Sequence, residues 1–222
     1  MNNPLNLFNK NISSISKLSE IYNLLIKEKF VKKIDAEEIL RAEIVLVVSA
    51  FDTYMHDLVR EKIINSFFEK SNYNQIDFTK VDISGECLKK IFESRSEDEK
   101  KLILLDEIRR LHSLNSYQSP KSVEYAVGIL NIKKIWTKLA EKFQIKINYE
   151  LYSADNIKRE LSFIIDRRNK IAHESDYNPT NYEKFPIERS DVDSVIGFMS
   201  ILVYSINEIC IEEIDSQDDK DL

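Results

Sequence analysis

The chain has 222 residues, 43% of them apolar and 32% charged, which is enough to bury a core and excludes intrinsic disorder. A net charge of −6 excludes a nucleic-acid binder that works through bulk positive charge, so any RNA contact must come from a local patch such as Arg167, Arg168 and Lys170. Only 3 Gly and 4 Pro occur, which disfavours many tight β-turns and favours long helices.

Met1 to Asn11 is Asn-rich and has no apolar core, so it does not read as a signal peptide. The first predicted helix covers about Ser13 to Lys33, where Ile15, Leu18, Ile21, Tyr22 and Leu25 recur at helical spacing. Asp35, with Glu38 three residues on, predicts a capping box at the head of a helix running to about Glu69. Within it, Ile44 to Val48 favours a strand locally. The cap precedes that run, and the stripe continues through Phe51, Met55, Leu58, Val59, Ile63 and Phe67 without a turn residue, so the spacing predicts a central, fully buried helix. One polar strip crosses it: Ser49, Asp52, His56 and Arg60, all on one face. Burying such groups unpaired costs about 1–3 kcal/mol each, so the strip faces either solvent or something functional.

Residues 71–85 turn polar, with Asn72, Asn74, Asp77 and Asp82. Helices are predicted over Gly85 to Glu93, Glu97 to Ser113 and, after a loop from Asn115 to Pro120, Ile129 to Phe143. Ser153 with Asn156 opens a further helix whose inward stripe is Ile157, Leu161, Ile164, Ile165, Arg168 and Ala172. Tyr177 to Pro186 is a loop. Ser190 and Asp193 make a capping-box-like start to the last core helix, Val195 to Ile214, and the acidic tail from Asp215 to Leu222 is expected to fray.

This pattern predicts an all-α single domain over residues 1–222, with core helices at about 13–69 and 153–214 and a helical insertion at about 72–150. Ile44 to Phe51 and Val195 to Ile211 are too short or too interrupted to span a bilayer, so no membrane contact is expected. Cys87 and Cys210 lack the spacing of a disulfide framework or a zinc site, and both are expected to be reduced, in the cytoplasm. His112 reads as a surface residue.

The chemistry concentrates in Arg168-Asn169-Lys170-Ile171-Ala172-His173. An imidazole moves protons near neutral pH, and a guanidinium grips a phosphate with paired hydrogen bonds. Arg168 stands where the stripe calls for an apolar side chain, and its neighbour Arg167 is rotated by about 100° to another direction. Two readings stay open for Arg168: an ion pair with a carboxylate such as Asp52 or Glu160, or a reserved contact for a substrate phosphate. Asn169 and His173 stand at i and i+4 and share a face, so the amide can hold the imidazole or touch substrate. His173 also reads as a dipole-stabilised surface group near a helix C-terminus, and His56 as a structural partner of Asp52. No Gly-rich phosphate loop, metal-ligand spacing or serine elbow occurs, which leaves a metal-free mechanism as the main enzymatic route.

The Arg168-Asn169-x-x-x-His173 run resembles the Arg-polar-x(4–6)-His signature of HEPN domains. Upstream, Ile39-Leu40-Arg41-Ala42 leads into Val47-Val48-Ser49-Ala50-Phe51-Asp52-x-Tyr54-x-His56-Asp57-Leu58-Val59, which resembles the RiboL-PSP branch of that superfamily. The resemblance implies an up-and-down helical bundle that dimerises around the motif helices. It also implies a metal-independent endoribonuclease of toxin–antitoxin, abortive-infection or other anti-phage systems, working without a cofactor. By that resemblance Arg168, Asn169 and His173 are the catalytic candidates, with Asp52 and His56 as supporting candidates. Arg167 and Lys170 are RNA-binding candidates. RNA is the expected substrate, and a cognate antitoxin or defence-system protein is a further expected partner.

Helix geometry favours a composite site. Arg168 and His173 lie about 140° apart around a continuous helix, so one copy cannot easily aim both at one phosphate. A two-fold axis beside the motif would bring two Arg and two His into one cleft. The alternatives are a catalytically silent helical dimer that binds RNA, nucleotide or a partner protein, and a purely structural dimer.

Overall fold

Asn3 starts the first helix: its side-chain oxygen accepts from the backbone N–H of Leu5 at 2.9 Å and of Asn6 at 3.3 Å, and Pro4 supplies a preset first turn. The computed structural model describes residues 3–68, 76–113, 115–147 and 152–218. Asn72, Asn74, the limits of the expected insertion at 72 and 150, and 219–222 of the tail lie outside the described residues.

All regular structure among the described residues is helical, with no strand beyond a single bridge between Tyr177 and Lys184. In chain order the helices are α1 (Pro4–Lys27), α2 (Lys33–Phe68), α3 (Gly85–Glu93), α4 (Glu97–His112), α5 (Pro120–Ile129), α6 (Ile135–Ile147), α7 (Ala154–Glu174) and α8 (Arg189–Asp218). The run Ile44 to Val48 is helical, as the stripe continuing after it predicts.

Several boundaries differ from expectation, each for a local reason. α1 begins and ends earlier than the Ser13–Lys33 prediction, because Asn3 caps it and Lys29 closes it in a left-handed conformation at φ 54°. There Phe30 N–H bonds to Leu25 O at 3.1 Å and Lys29 N–H to Ile26 O at 3.2 Å, a Schellman turn with lysine where glycine is the usual residue. Lys29→Gly is therefore expected to raise stability by about 0.5–1 kcal/mol, seen as a higher thermal midpoint. Asp35 is not the cap of α2: the helix starts at Lys33, and Asp35 and Ala36 donate to the Lys32 carbonyl. The predicted Ile129–Phe143 helix begins only at Ile135, after Asn131 and Lys134 both turn left-handed, and α5 ahead of it, opening at a Ser119–Ser122 capping box, is a helix the periodicity did not predict. α8 starts one residue before Ser190, with the Asp191 carboxylate accepting from Glu188 N–H at 2.8 Å, and runs into the expected frayed tail as far as Asp218.

The chain divides into two compact units, residues 2–54 with 136–208, and residues 55–135 with 209–222. In the first, a core cluster of Tyr22, Ala36, Leu40, Ile44, Ile187 and Val192 takes Ile171 of α7 against its edge. Glu43 is fully buried there, accepting from Ser19 Oγ at 2.8 Å and from Arg189 Nη1 at 2.7 Å. α2 is neither fully buried nor apolar all round: Leu46 is exposed, and Glu43 is a carboxylate in its buried face. Arg189–Glu213 is long and apolar enough by length and composition to cross a membrane, contrary to the expectation from Val195 to Ile211, and in this fold it buries Met199, Leu202, Val203 and Ile206.

In the second unit α3 and α4 contact each other, and Ser84 N–H donates to Glu107 at 3.0 Å. Arg110 beside it holds the Glu107 carboxyl down to about 2. His112 is buried, not on the surface, against His56 and Tyr117. Burial, aided by the His56 and Arg60 charges, pulls its pKa from the ordinary 6.5 to about 4. The unfolded chain then takes up a proton that the folded chain refuses. Stability is fully present above pH 6.5 and is lost progressively as pH falls towards 4. Thermal midpoints measured across that window are expected to fall less steeply in His112→Gln than in wild type.

Candidate active site

α7 is built as the sequence predicts at its start. The Ser153 side chain accepts from Asn156 N–H at 3.2 Å, and Ile157, Leu161, Ile164 and Ile165 form the buried stripe. The stripe does not continue to Ala172, which is exposed; Ile171 takes its place on the core cluster. The reason is the helix end. Ser175 and Asp176 both adopt left-handed backbone, at φ 53° and 62°, and both N–H groups converge on the Lys170 carbonyl. This widened last turn rotates Asp176 inward until it is fully buried.

Asp176 is the centre of a clasp that sequence reasoning missed. Arg41, itself 2% exposed, donates from Nε to Asp176 Oδ2 at 2.8 Å and from Nη2 to the Phe185 carbonyl at 2.8 Å. Arg167 Nη1 lies 2.8 Å from Asp176 Oδ1, an ion pair without hydrogen-bond alignment, and Nη2 donates to Pro186 O at 3.0 Å. Burial pulls the Arg167 guanidinium below its ordinary value, with Asp176 opposing. Arg167 is thus engaged in closing the loop, while Lys170 stays exposed, its ammonium 5.1 Å from the centre of the Phe185 ring. The signal that could have found this clasp was Arg41 itself, an arginine between the core residues Leu40 and Ile44 of α2.

Arg168 behaves differently from its neighbour. It is half-buried at the edge of the stripe, and its Nε is buried with no hydrogen-bond partner. Among the described residues neither Asp52 nor Glu160 forms an ion pair with it. An orphaned buried donor costs about 1–3 kcal/mol unless something outside the chain satisfies it. Asn169 is half-buried one residue on, and His173 is exposed in the last turn, with no side-chain hydrogen bond among the described residues. Asp52 and His56 are both half-buried on α2, Asp52 in the unit that holds α7 and His56 in the other.

The motif helix therefore presents an unsatisfied guanidinium donor and a free imidazole, held by a clasp that uses other cations. Such a set can bind an oxyanion and move a proton. No curated protein and no solved structure matches the chain. A family model described as RiboL-PSP-HEPN matches residues 9–212, a span that takes in the α2 run, the Arg168–His173 motif and the clasp. That family includes ribonucleases, which supports a nuclease or RNA-related role. The chain belongs to the RiboL-PSP-HEPN family, as an all-helical HEPN-type domain.

Proposed function

We propose that this protein is a metal-independent endoribonuclease that acts on single-stranded or loop RNA as a homodimer with a composite site. The observation that carries the reading is the buried, unpartnered Nε of Arg168, five residues along the same helix from the free imidazole of His173. A phosphate would satisfy that donor, and the arginine's charge would then stabilise the negative charge developing on the phosphoryl oxygens.

In the proposed step the ribose 2′-oxygen forms a bond to phosphorus and the bond from phosphorus to the 5′-oxygen breaks. His173 takes the 2′-hydroxyl proton, and the partner subunit's His173 gives a proton to the departing 5′-oxygen. Asn169 orients the imidazole or the phosphate. The product is a 2′,3′-cyclic phosphate and a 5′-hydroxyl. Unpaired strands are preferred because they can adopt the in-line geometry that a duplex resists. Asp52 and His56 are supporting candidates, and residues 1–222 act as one functional domain with 72–150 as an inserted segment. Two buried free thiols fit a reducing compartment, the cytoplasm. A toxin–antitoxin or anti-phage setting, with a cognate antitoxin or defence protein as partner, suits an enzyme with these properties.

The test is an oligoribonucleotide carrying one 2′-deoxy sugar at the cut position. Cleavage there is expected to stop while flanking sites are still cut. Continued cutting at the modified position excludes 2′-hydroxyl attack.

A further inference from the structure

Three residues beyond His173 the chain enters a loop that is unusually well fixed. Asp176 anchors its first residue through the two arginines, and Phe185 N–H returns to Asp176 O at 2.9 Å. Inside it, Asn178 N–H bonds to Glu183 O at 2.8 Å, Tyr182 N–H to Asn178 O at 2.9 Å, and Thr180 N–H to the Asn178 side chain at 2.9 Å. Tyr177 N–H bonds back to Glu174 O at 3.2 Å, which ties the loop to the last turn of α7.

This rigid frame displays aromatic rings instead of hiding them. Tyr182 is 80% exposed and Tyr177 45% exposed, and Tyr182 is held in a left-handed conformation at φ 57° that a bulky residue seldom adopts. Lys184 Nζ, paired with Glu38 at 2.6 Å, lies 5.5 Å from the Tyr177 ring centre, and Lys170 is exposed beside Phe185. Since the chain carries a net charge of −6, bulk electrostatics cannot supply affinity for a polyanion. Stacking on exposed rings can, because every base has a π-face.

We propose that the loop 176–186 is a binding site for unpaired RNA bases, with Tyr177 and Tyr182 as stacking platforms beside the motif helix. It rests on the ribonuclease reading for the identity of its ligand. Its fixed backbone lowers the ordering cost of binding, and the clasp sets the rings in register with the end of α7.

The experiment measures fluorescence anisotropy of a labelled single-stranded oligoribonucleotide with 2′-O-methyl at every ribose, titrated with the full chain. Without a 2′-hydroxyl the probe is not cut, so binding is read apart from cleavage, which is followed separately on unmodified RNA. Tyr182→Ala and Tyr177→Ala are expected to weaken binding roughly 5- to 150-fold, with Tyr→Phe retaining most of it and thermal midpoints unchanged. A duplex of the same sequence is expected to bind more weakly than the single strand. Unchanged binding in both alanine variants, phenylalanine variants as weak as alanine, or equal binding of duplex overturns the platform, and a protein partner would then be the better occupant. Tyrosine-dependent binding without any cleavage of unmodified RNA would leave the platform standing and remove the nuclease.

Discussion

His173→Ala is expected to lower RNA cleavage by about 10²–10⁴-fold, the usual worth of a positioned general acid or base. The side chain is exposed and without a hydrogen bond among the described residues, so its removal should leave the thermal midpoint where it was. Arg168→Ala is expected to cost about 10²–10³-fold for the loss of charge stabilisation. Its stability signature is the informative part. Removing a buried donor that has no partner relieves a penalty, so the variant should be as stable as wild type or slightly more so. A structural ion pair would give the opposite result. Because the two side chains diverge by about 140° around α7, the two inactive variants should complement each other when mixed and allowed to exchange subunits. Half the dimers would then hold one Arg168 and one His173 across the two-fold axis; the second imidazole of the proposed step is missing from that cleft, so the mixture should cut faster than either variant alone and well below wild type. Failure to recover activity after demonstrated exchange would rule out the composite site.

Asp176→Ala is expected to be the most destabilising single change near the site. It leaves Arg41, 2% exposed, without its Nε acceptor, holding only the Phe185 carbonyl and the Glu38 carboxylate at 3.2 Å, with Glu37 at 3.8 Å. Breaking a buried pair from one side costs about 3–5 kcal/mol, which for a chain of this size lowers the thermal midpoint by roughly 6–20 °C. Asp176→Asn keeps an acceptor for Arg41 and should lose less. Arg41→Met leaves the carboxylate with Arg167 alone and should fall between the two. Thermal unfolding followed by circular dichroism orders the three variants; equal midpoints for Asp176→Ala and wild type would mean that the clasp contributes nothing.

These two residues also mark what could be read from the sequence and what could not. α7 was legible at its start because Ser153 and the stripe Ile157, Leu161, Ile164 and Ile165 agree locally. α3 and α4 were legible for the same reason, each opening on a serine cap. The helix ends were harder. Lys29, Asn131, Lys134, Ser175 and Asp176 all take left-handed backbone, and none is the glycine that would signal it. Tertiary packing, not local propensity, sets those positions.

The same distinction separates the two arginines of the motif. Spacing correctly pointed them in different directions. It could not tell which one would be satisfied within the chain, because Arg167's partner lies beyond the helix end and Arg41 reaches Asp176 from 135 residues away. The motif residues were identified by residue type and order, whereas the frame that holds them depends on contacts no local pattern encodes. His112 makes a similar point: a lone polar residue at the end of α4 reads as surface until the aromatic ring of Tyr117 and the imidazole of His56 close over it.

The most direct test of the account is end-group analysis of RNA treated with purified protein in the presence of a chelator. Wild type is expected to leave 2′,3′-cyclic phosphate and 5′-hydroxyl ends, and His173→Ala and Arg168→Ala, folded to the same midpoint, to leave RNA intact. Cleavage that persists at the wild-type rate in His173→Ala, or a folded wild-type protein that binds RNA and never cuts it, would contradict the account.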